Sequence, residues 1–320
     1  MAKRYGVQPE NVFVSSEGAS GQNARVIRCL AERNPGKNEA VVEYPTYEPL
    51  LRQVEEHFGL VKRLERLEED ACRLDVDALR KLVSKKTGLL VLTNPHAPSG
   101  AVSGAHELRE VMAFARERGF YVLCDEIYAE FDRKSVPTLF SVDHECAIVT
   151  TSLTKAYGLG GLKLGVALVS KQLVDELYAD VLNTVGNSPN IVQIIATELL
   201  SKAKEKLEEH KQKWNRLRNE AEKWLLEKGF RFFPSRMGVT YWVRLPTADT
   251  YRWVNLHAIP RFGVATVPGT FFLFKDGSRL NRSSMIRLSF GNVDPDGSNL
   301  GEGLEALEKA LNTYVRKRAV

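Results

Sequence analysis

Six short runs constrain this chain more than any other feature: Val12–Ser15, Val41–Glu43, Gly88–Thr93, Tyr121–Asp125, Ala147–Thr151 and Leu164–Val169. Each is rich in Val, Leu and Ile and apolar at successive positions, so both faces must be covered. That is the pattern of strands buried in a parallel sheet. Helical patterns lie between them at Gly21–Glu32, Tyr47–Phe58, Val76–Val83 and Glu107–Arg118. Strand and helix in alternation predict an α/β fold with a doubly wound, mostly parallel sheet.

Beyond Val169 the character changes. Residues Pro189–Glu227 read as one long helical stretch with at most one break. Leu207, Trp214, Leu217, Ala221, Trp224 and Leu225 recur there at helical steps, which predicts a packing seam rather than a cofactor box. Gly229 is placed to stop that helix. Phe230–Phe233, Thr240–Val243 and Ser284–Phe290 then read as strands, and Asp294–Val315 as a closing helix. The expected organisation is a large domain over residues 1–204 and a smaller α+β domain over 205–320.

Composition excludes several function classes. Lys+Arg minus Asp+Glu is 45 − 40 = +5, with both signs interspersed, so nothing favours nucleic acid as a partner. Cys29, Cys72, Cys124 and Cys146 form no C-x-x-C, and the histidines form no H-E-x-x-H. We therefore expect no metal site, reduced thiols and a cytoplasmic location. No apolar run reaches the length of a membrane span, and the first residues, MAKRYGVQPENVF, lack the apolar stretch of a signal peptide.

The chemistry concentrates where two strands end. Tyr121–Asp125 runs into Glu126-Ile127-Tyr128. An acidic strand end suits a magnesium-holding NTPase strand, an acidic group at a ligand site, or a cap on the next helix. The NTPase reading needs a G-x-x-x-x-G-K-S/T loop, and the chain has none. Parallel sheets place ligands at the carboxyl ends of their strands, which favours the second reading. The next strand ends in Thr151-Ser152-Leu153-Thr154-Lys155, followed by a Gly-rich turn, Gly158-Leu159-Gly160-Gly161-Leu162-Lys163. A lysine just past a buried strand is oddly placed for a surface residue. An amine shielded there becomes a nucleophile toward carbonyls. Ser152, Thr154 and Lys163 could hold an anion beside it.

These pieces, with others in order, resemble the class I/II aminotransferases, which are pyridoxal-phosphate (PLP) enzymes of fold type I similar to aspartate aminotransferase. Gly18-Ala19-Ser20 follows the first strand, and Tyr44-Pro45-Thr46-Tyr47 follows the second. Asn94-Pro95-His96-Ala97-Pro98-Ser99-Gly100 resembles the family's N-P-x-N-P-S/T-G. Asp125-Glu126-x-Tyr128 and Ser152-x-x-Lys155 come next, then Val267-Pro268-Gly269 and Ile286-Arg287-Leu288-Ser289-Phe290.

The resemblance implies roles. Lys155 would bond covalently to PLP and, once displaced by substrate, carry the proton. Asp125 would face the ring nitrogen and keep it protonated, which makes the ring an electron sink. Tyr128 would hydrogen-bond the ring's phenolic oxygen, and Tyr47 would stack on the ring face or pack in the core. The N–H groups of Gly18, Ala19 and Ser20 would take the phosphate at a helix start, although Ser20 could be only a helix cap. Ser152 and Lys163 would add a hydroxyl and a charge. Arg287 would clamp the substrate carboxylate through a planar fork, or else face solvent. The implied partners are an amino acid, a 2-oxo acid and a second copy of the chain as a homodimer.

Three departures qualify the resemblance. Ala97 stands where the family has an Asn that bonds the phenolic oxygen. Lys163 stands where the family's phosphate arginine stands, so charge survives without the fork. The segment that family members carry before the first strand, with part of the substrate wall, has no counterpart before Val12. We therefore expect PLP binding to be more secure than full turnover. The competing readings are another PLP reaction on the same residues (β-lyase, decarboxylase or cyclopropane-carboxylate-synthase type) and a non-catalytic relative.

Overall fold

The computed structural model describes residues 1–187, 189–202, 204–235, 238–274, 281–291 and 297–316. The chain packs as two compact units, one of Met1–Ala97 with Ala101–Lys211 and one of Pro98–Gly100 with Gln212–Val320.

In the first unit the strands are β1 (Val12–Ser15), β2 (Glu39–Tyr44), β3 (Leu60–Glu65), β4 (Thr87–Thr93), β5 (Tyr121–Asp125), β6 (Ala147–Ser152) and β7 (Gly165–Leu168). Its helices are α1 (Ala2–Tyr5), α2 (Gly18–Arg33), α3 (Glu48–His57), α4 (Val76–Leu82), α5 (Ala105–Arg118), α6 (Lys171–Thr184) and α7 (Asn190–Lys202), with α8 (Lys204–Glu227) passing into the second unit. The strands form one seven-stranded sheet in the order β1-β7-β6-β5-β4-β2-β3. Neighbours from β3 through β6 pair in parallel.

The run Leu164–Val169, read above as one more parallel strand, instead pairs antiparallel with both β6 and β1 as β7. The reason lies in its connection. A parallel return needs a crossover of about a dozen residues or more, usually helical. Residues 153–164 hold only a short 3-10 turn at Gly160–Leu162, so the chain doubles straight back. β3 was not expected at all: its Lys62, Arg63 and Glu65 break the apolar run, as suits a strand at the sheet edge. The sheet's covering includes Leu108, Val111, Met112 and Ala115 of α5, packed with Val122, Cys124, Val149 and Leu168 in one buried cluster. Each Leu, Val or Met among them stabilises the fold by about 1.5–3 kcal/mol through removal from water.

The second unit has a four-stranded antiparallel sheet in the order β10-β11-β9-β8. Its strands are β8 (Arg231–Phe233), β9 (Thr240–Arg244), β10 (Val267–Pro268) and β11 (Met285–Ser289). Its remaining helices are α9 (Thr250–Trp253), α10 (Ile259–Phe262) and α11 (Leu300–Arg316). Along α8, Trp214, Leu217, Ala221 and Leu225 are buried as the periodicity predicts, while Trp224 is half-buried and stacks on Phe230 at 5.3 Å. The side chain of Leu207 and the start of the expected closing helix at Asp294 lie outside the described residues. Gly229 ends α8 at φ 69°, a backbone conformation that L side chains rarely adopt. Among the described residues no helix is long and apolar enough to cross a membrane.

Candidate active site

Because β7 runs against the other six strands, the carboxyl ends of β1, β2, β4, β5 and β6 meet along one edge of the sheet. That edge is where an open α/β sheet presents ligand-binding groups. Ser15, Tyr44, Thr93, Asp125 and Ser152 are the terminal residues of these strands. The segments that follow carry Gly18, Tyr47, Ala97, Tyr128 and Lys155. Topology thus gathers the sequence-predicted residues of the first unit at one edge.

Asp125 is only 7% exposed. Its Oδ1 accepts from the backbone N–H of Ile127 at 3.0 Å, and its Oδ2 accepts from Asn23 Nδ2 at 2.8 Å. Thr150 Oγ1 in turn donates to Asn23 Oδ1, which fixes which end of the amide faces the carboxylate. Burial pushes the Asp125 carboxyl up to about 6, while the Asn23 bond, the Ile127 N–H and the charge of Lys155 oppose the rise. The carboxylate therefore feels the lysine amine while keeping a raised affinity for a proton. The neighbouring Glu126 is fully buried and engaged elsewhere, accepting from Leu139 N at 2.8 Å and Arg133 Nη2 at 2.7 Å. Of the acidic pair, Asp125 is the one coupled to the lysine.

The start of α2 supplies amides. Gly18, at φ 69°, makes the turn out of β1, and its N–H donates to the Lys163 carbonyl. We expected three amides at this turn, and this bond leaves two. Ala19 and Ser20 stand in the first helical turn, where N–H groups have no intrahelical acceptor. The same bond brings the Lys163 backbone to the cradle, with Lys163 itself at φ 50° and exposed. Gly165 is required here, since a Cβ on it would lie 2.2 Å from the Gly18 carbonyl oxygen.

Ser152 is buried and donates from its Oγ to Thr154 Oγ1 at 2.8 Å. Lys155 is exposed, Tyr128 is half-buried beside Phe131, and Tyr47 is half-buried at the start of α3. The turns bearing Tyr128 and Lys155 are anchored by Glu130. This residue accepts from Tyr157 Oη, from Tyr5 Oη at 2.8 Å and from Arg4 Nε at 2.6 Å. Burial alone would raise the Glu130 carboxyl, but the Arg4 charge and the Tyr157 hydroxyl hold it below its ordinary value. It therefore stays ionised.

Behind the turn that carries Ala97 lies a buried polar network. Glu43 pairs with Arg66 at 2.9 Å and accepts from Thr93 N at 2.7 Å. Thr93 Oγ1 accepts from Ala97 N at 2.7 Å, which fixes the turn. Burial, then the nearby Arg66 charge, pushes the His96 imidazole well below its usual value. The ring is therefore neutral, and its Nε2 stands 2.9 Å from the Pro45 carbonyl, to which it donates. That nitrogen is thereby committed to the scaffold rather than to a ligand beside Ala97.

Arg287 belongs to the second unit. It lies on β11 with its guanidinium 5.4 Å from the Phe272 ring centroid, and its Nε is buried without a hydrogen-bond partner. Among the described residues it forms no ion pair. Sequence reasoning missed Asn23, Thr150, Tyr157 and Glu130. A Thr at a strand end and an Asn one turn into a helix carry no motif of their own.

The residues fit PLP on their own chemistry: two helix-start amides for a phosphate, and a buried carboxylate with raised proton affinity in electrostatic reach of a lysine. The family model for aminotransferase class I and II matches residues 1–307, and the chain belongs to that family. A putative aminotransferase of Bacillus subtilis, YugH, is 27% identical over 215 residues, 66% of this chain and 55% of that protein. A histidinol-phosphate aminotransferase of Methanococcus maripaludis is 24% identical over 167 residues, 52% of this chain and 43% of that protein. The match thus spans about half the length of these curated relatives. A PLP-dependent aminotransferase structure from Streptococcus suis superposes with a TM-score of 0.85 at 26% identity, covering 98% of this chain and 80% of that one.

Proposed function

We propose that this chain is a PLP-dependent aminotransferase, moving an amino group from an amino acid to a 2-oxo acid in two half-reactions. The observation that carries the reading is the buried Asp125, held by Asn23 and the Ile127 N–H at the end of β5, on the same sheet edge as the turn bearing Lys155 after β6 and the two helix-start amides of α2. When bound, PLP supplies an aldehyde for the amine and a ring that accepts the electrons of the Cα bond.

The chain's own residues do the rest. Asp125, oriented by Asn23 and the Ile127 N–H, would keep a proton on the ring nitrogen. Lys155 would hold the cofactor through its amine and would be the base that moves the substrate Cα proton. Tyr128 would be the hydroxyl donor to the cofactor ring, and Tyr47 would pack against it. The Ala19 and Ser20 amides, the Ser152 hydroxyl and the Lys163 charge would hold the phosphate. Arg287 takes the substrate carboxylate, in keeping with its Nε lacking a partner.

We further propose a homodimer in the cytoplasm. The dimer is supported by α7, where Ile191, Ile194 and Ile195 are 60%, 58% and 38% exposed. Those side chains in water are a liability that a second copy would remove. The test is to load the protein with PLP and offer a panel of amino acids without any acceptor. Appearance of the matching 2-oxo acid at about one equivalent per site supports transfer. Release of carbon dioxide, or of ammonia with a 2-oxo acid, without amination of the cofactor would instead favour a decarboxylase or β-lyase.

A further inference from the structure

Glu17 occupies the N-cap position of α2, so Ala19 and Ser20 are its second and third helical residues. Those are the two amides from which an oxygen-bearing N-cap side chain ordinarily accepts a hydrogen bond. A carboxylate is further favoured there by the positive end of the helix dipole. Yet the Glu17 side chain makes no capping bond. It folds back along the helix instead, crossing Gly21, where a Cβ would lie 2.2 Å from the Glu17 Cβ. Its Oε2 ends on the guanidinium of Arg25, with Ser15 Oγ at 3.5 Å as its other partner. Arg25 is only 3% exposed and is held from its other side by Asp180 of α6 and by Thr184 Oγ1 at 3.2 Å.

We propose that Arg25 is a positioning residue for the phosphate cradle. It withdraws the Glu17 carboxylate from the start of α2 and keeps the Ala19 and Ser20 amides open for the phosphate of the cofactor. The inference rests on the PLP reading above. Without Arg25, the glutamate is an internal anion at the same amides, and it both competes with the phosphate and repels it. Gly21 belongs to the device, because a side chain there would close the path by which Glu17 folds back.

The experiment measures affinity for PLP and for unphosphorylated pyridoxal in parallel, by absorbance titration of the unliganded protein. Arg25→Gln should weaken PLP by about tenfold, the scale of an N-cap interaction, and leave pyridoxal within about twofold, because pyridoxal lacks the group that uses the cradle. The double variant Glu17→Gln with Arg25→Gln should recover PLP affinity. Asp180→Asn leaves the Glu17–Arg25 pair in place and should bind PLP as the parent does.

Should Arg25→Gln fail to fold, Glu17→Asp decides the matter. It keeps the charge and the Arg25–Asp180 pair, but its shorter stem reaches the amides and not Arg25. Glu17→Asp should weaken PLP while Glu17→Gln does not. Equal affinities of Glu17→Asp and Glu17→Gln for PLP overturn the proposal. So does an equal loss of PLP and pyridoxal in Arg25→Gln that Glu17→Gln leaves unrepaired. If the parent protein binds no PLP at all, the cofactor reading itself has failed, which is a separate result.

Discussion

Replacing Asn23 by Ala tests how Asp125 is tuned. The substitution removes the 2.8 Å bond from Asn23 Nδ2 to Asp125 Oδ2 and strips Thr150 of its acceptor. A hydrogen bond to a buried ionised acceptor contributes about 1.5–3 kcal/mol, against about 0.5–1.5 kcal/mol when both partners are neutral. Asp125 titrates at about 6 in the folded chain, against an ordinary 3.8, so its ionised form weighs against folding as pH rises from 3.8 to 6. Loss of Asn23 adds to that burden only where the carboxyl is ionised. Urea unfolding of the unliganded protein at pH 8 should then show a cost of about 1.5–3 kcal/mol, shrinking to about 1 kcal/mol or less at pH 5. The same energy moves Asp125 upward by about one to two pH units, past neutrality. PLP affinity at pH 7 should fall with it, because a neutral carboxyl no longer pairs with a protonated ring nitrogen. A cost that is equal at pH 5 and pH 8 would refute the reasoning, since it would show that Asn23 does not discriminate between the two states of Asp125.

Gly165→Ala should place a Cβ 2.2 Å from a backbone oxygen of Gly18. The fold should lose about 1–3 kcal/mol or more by overpacking, and PLP affinity should fall because the cradle must move, as thermal unfolding and absorbance titration would read. Arg66→Met leaves the Glu43 carboxylate, fully buried, without its cation. That should cost about 3–5 kcal/mol in urea unfolding, with much of it recovered when Glu43 also becomes Met. Tyr157→Phe removes one of the donors to the ionised Glu130 and should cost about 1.5–3 kcal/mol by the same assay.

Much of the fold was legible because apolar runs covered on both faces leave few architectures. Val122, Leu123 and Cys124 are fully buried, as the run predicted. The direction of β7 was not legible from composition, because Gly165–Leu168 reads the same either way. The length and helix content of residues 153–164 decided it. Edge strand β3 hid behind Lys62 and Arg63, which an edge accommodates and a central strand does not. In the site, Asp125, Ser152 and Lys155 announced themselves by standing at or just past buried strand ends. Asn23 did not, because its function arises only when α2 lies against β5 and β6, a contact made across more than a hundred residues of chain. Glu17 was invisible for a different reason, since its partner Arg25 lies only eight residues on. A glutamate before a helix reads as an ordinary cap until Arg25 is seen to draw it back.

Borohydride reduction of the PLP-loaded protein, followed by proteolysis and mass mapping of the modified peptide, bears most directly on the whole account. The account predicts a single reduced pyridoxyl group on the peptide that contains Lys155. A label on Lys163 or on scattered surface lysines, with Lys155 unmodified, would contradict it.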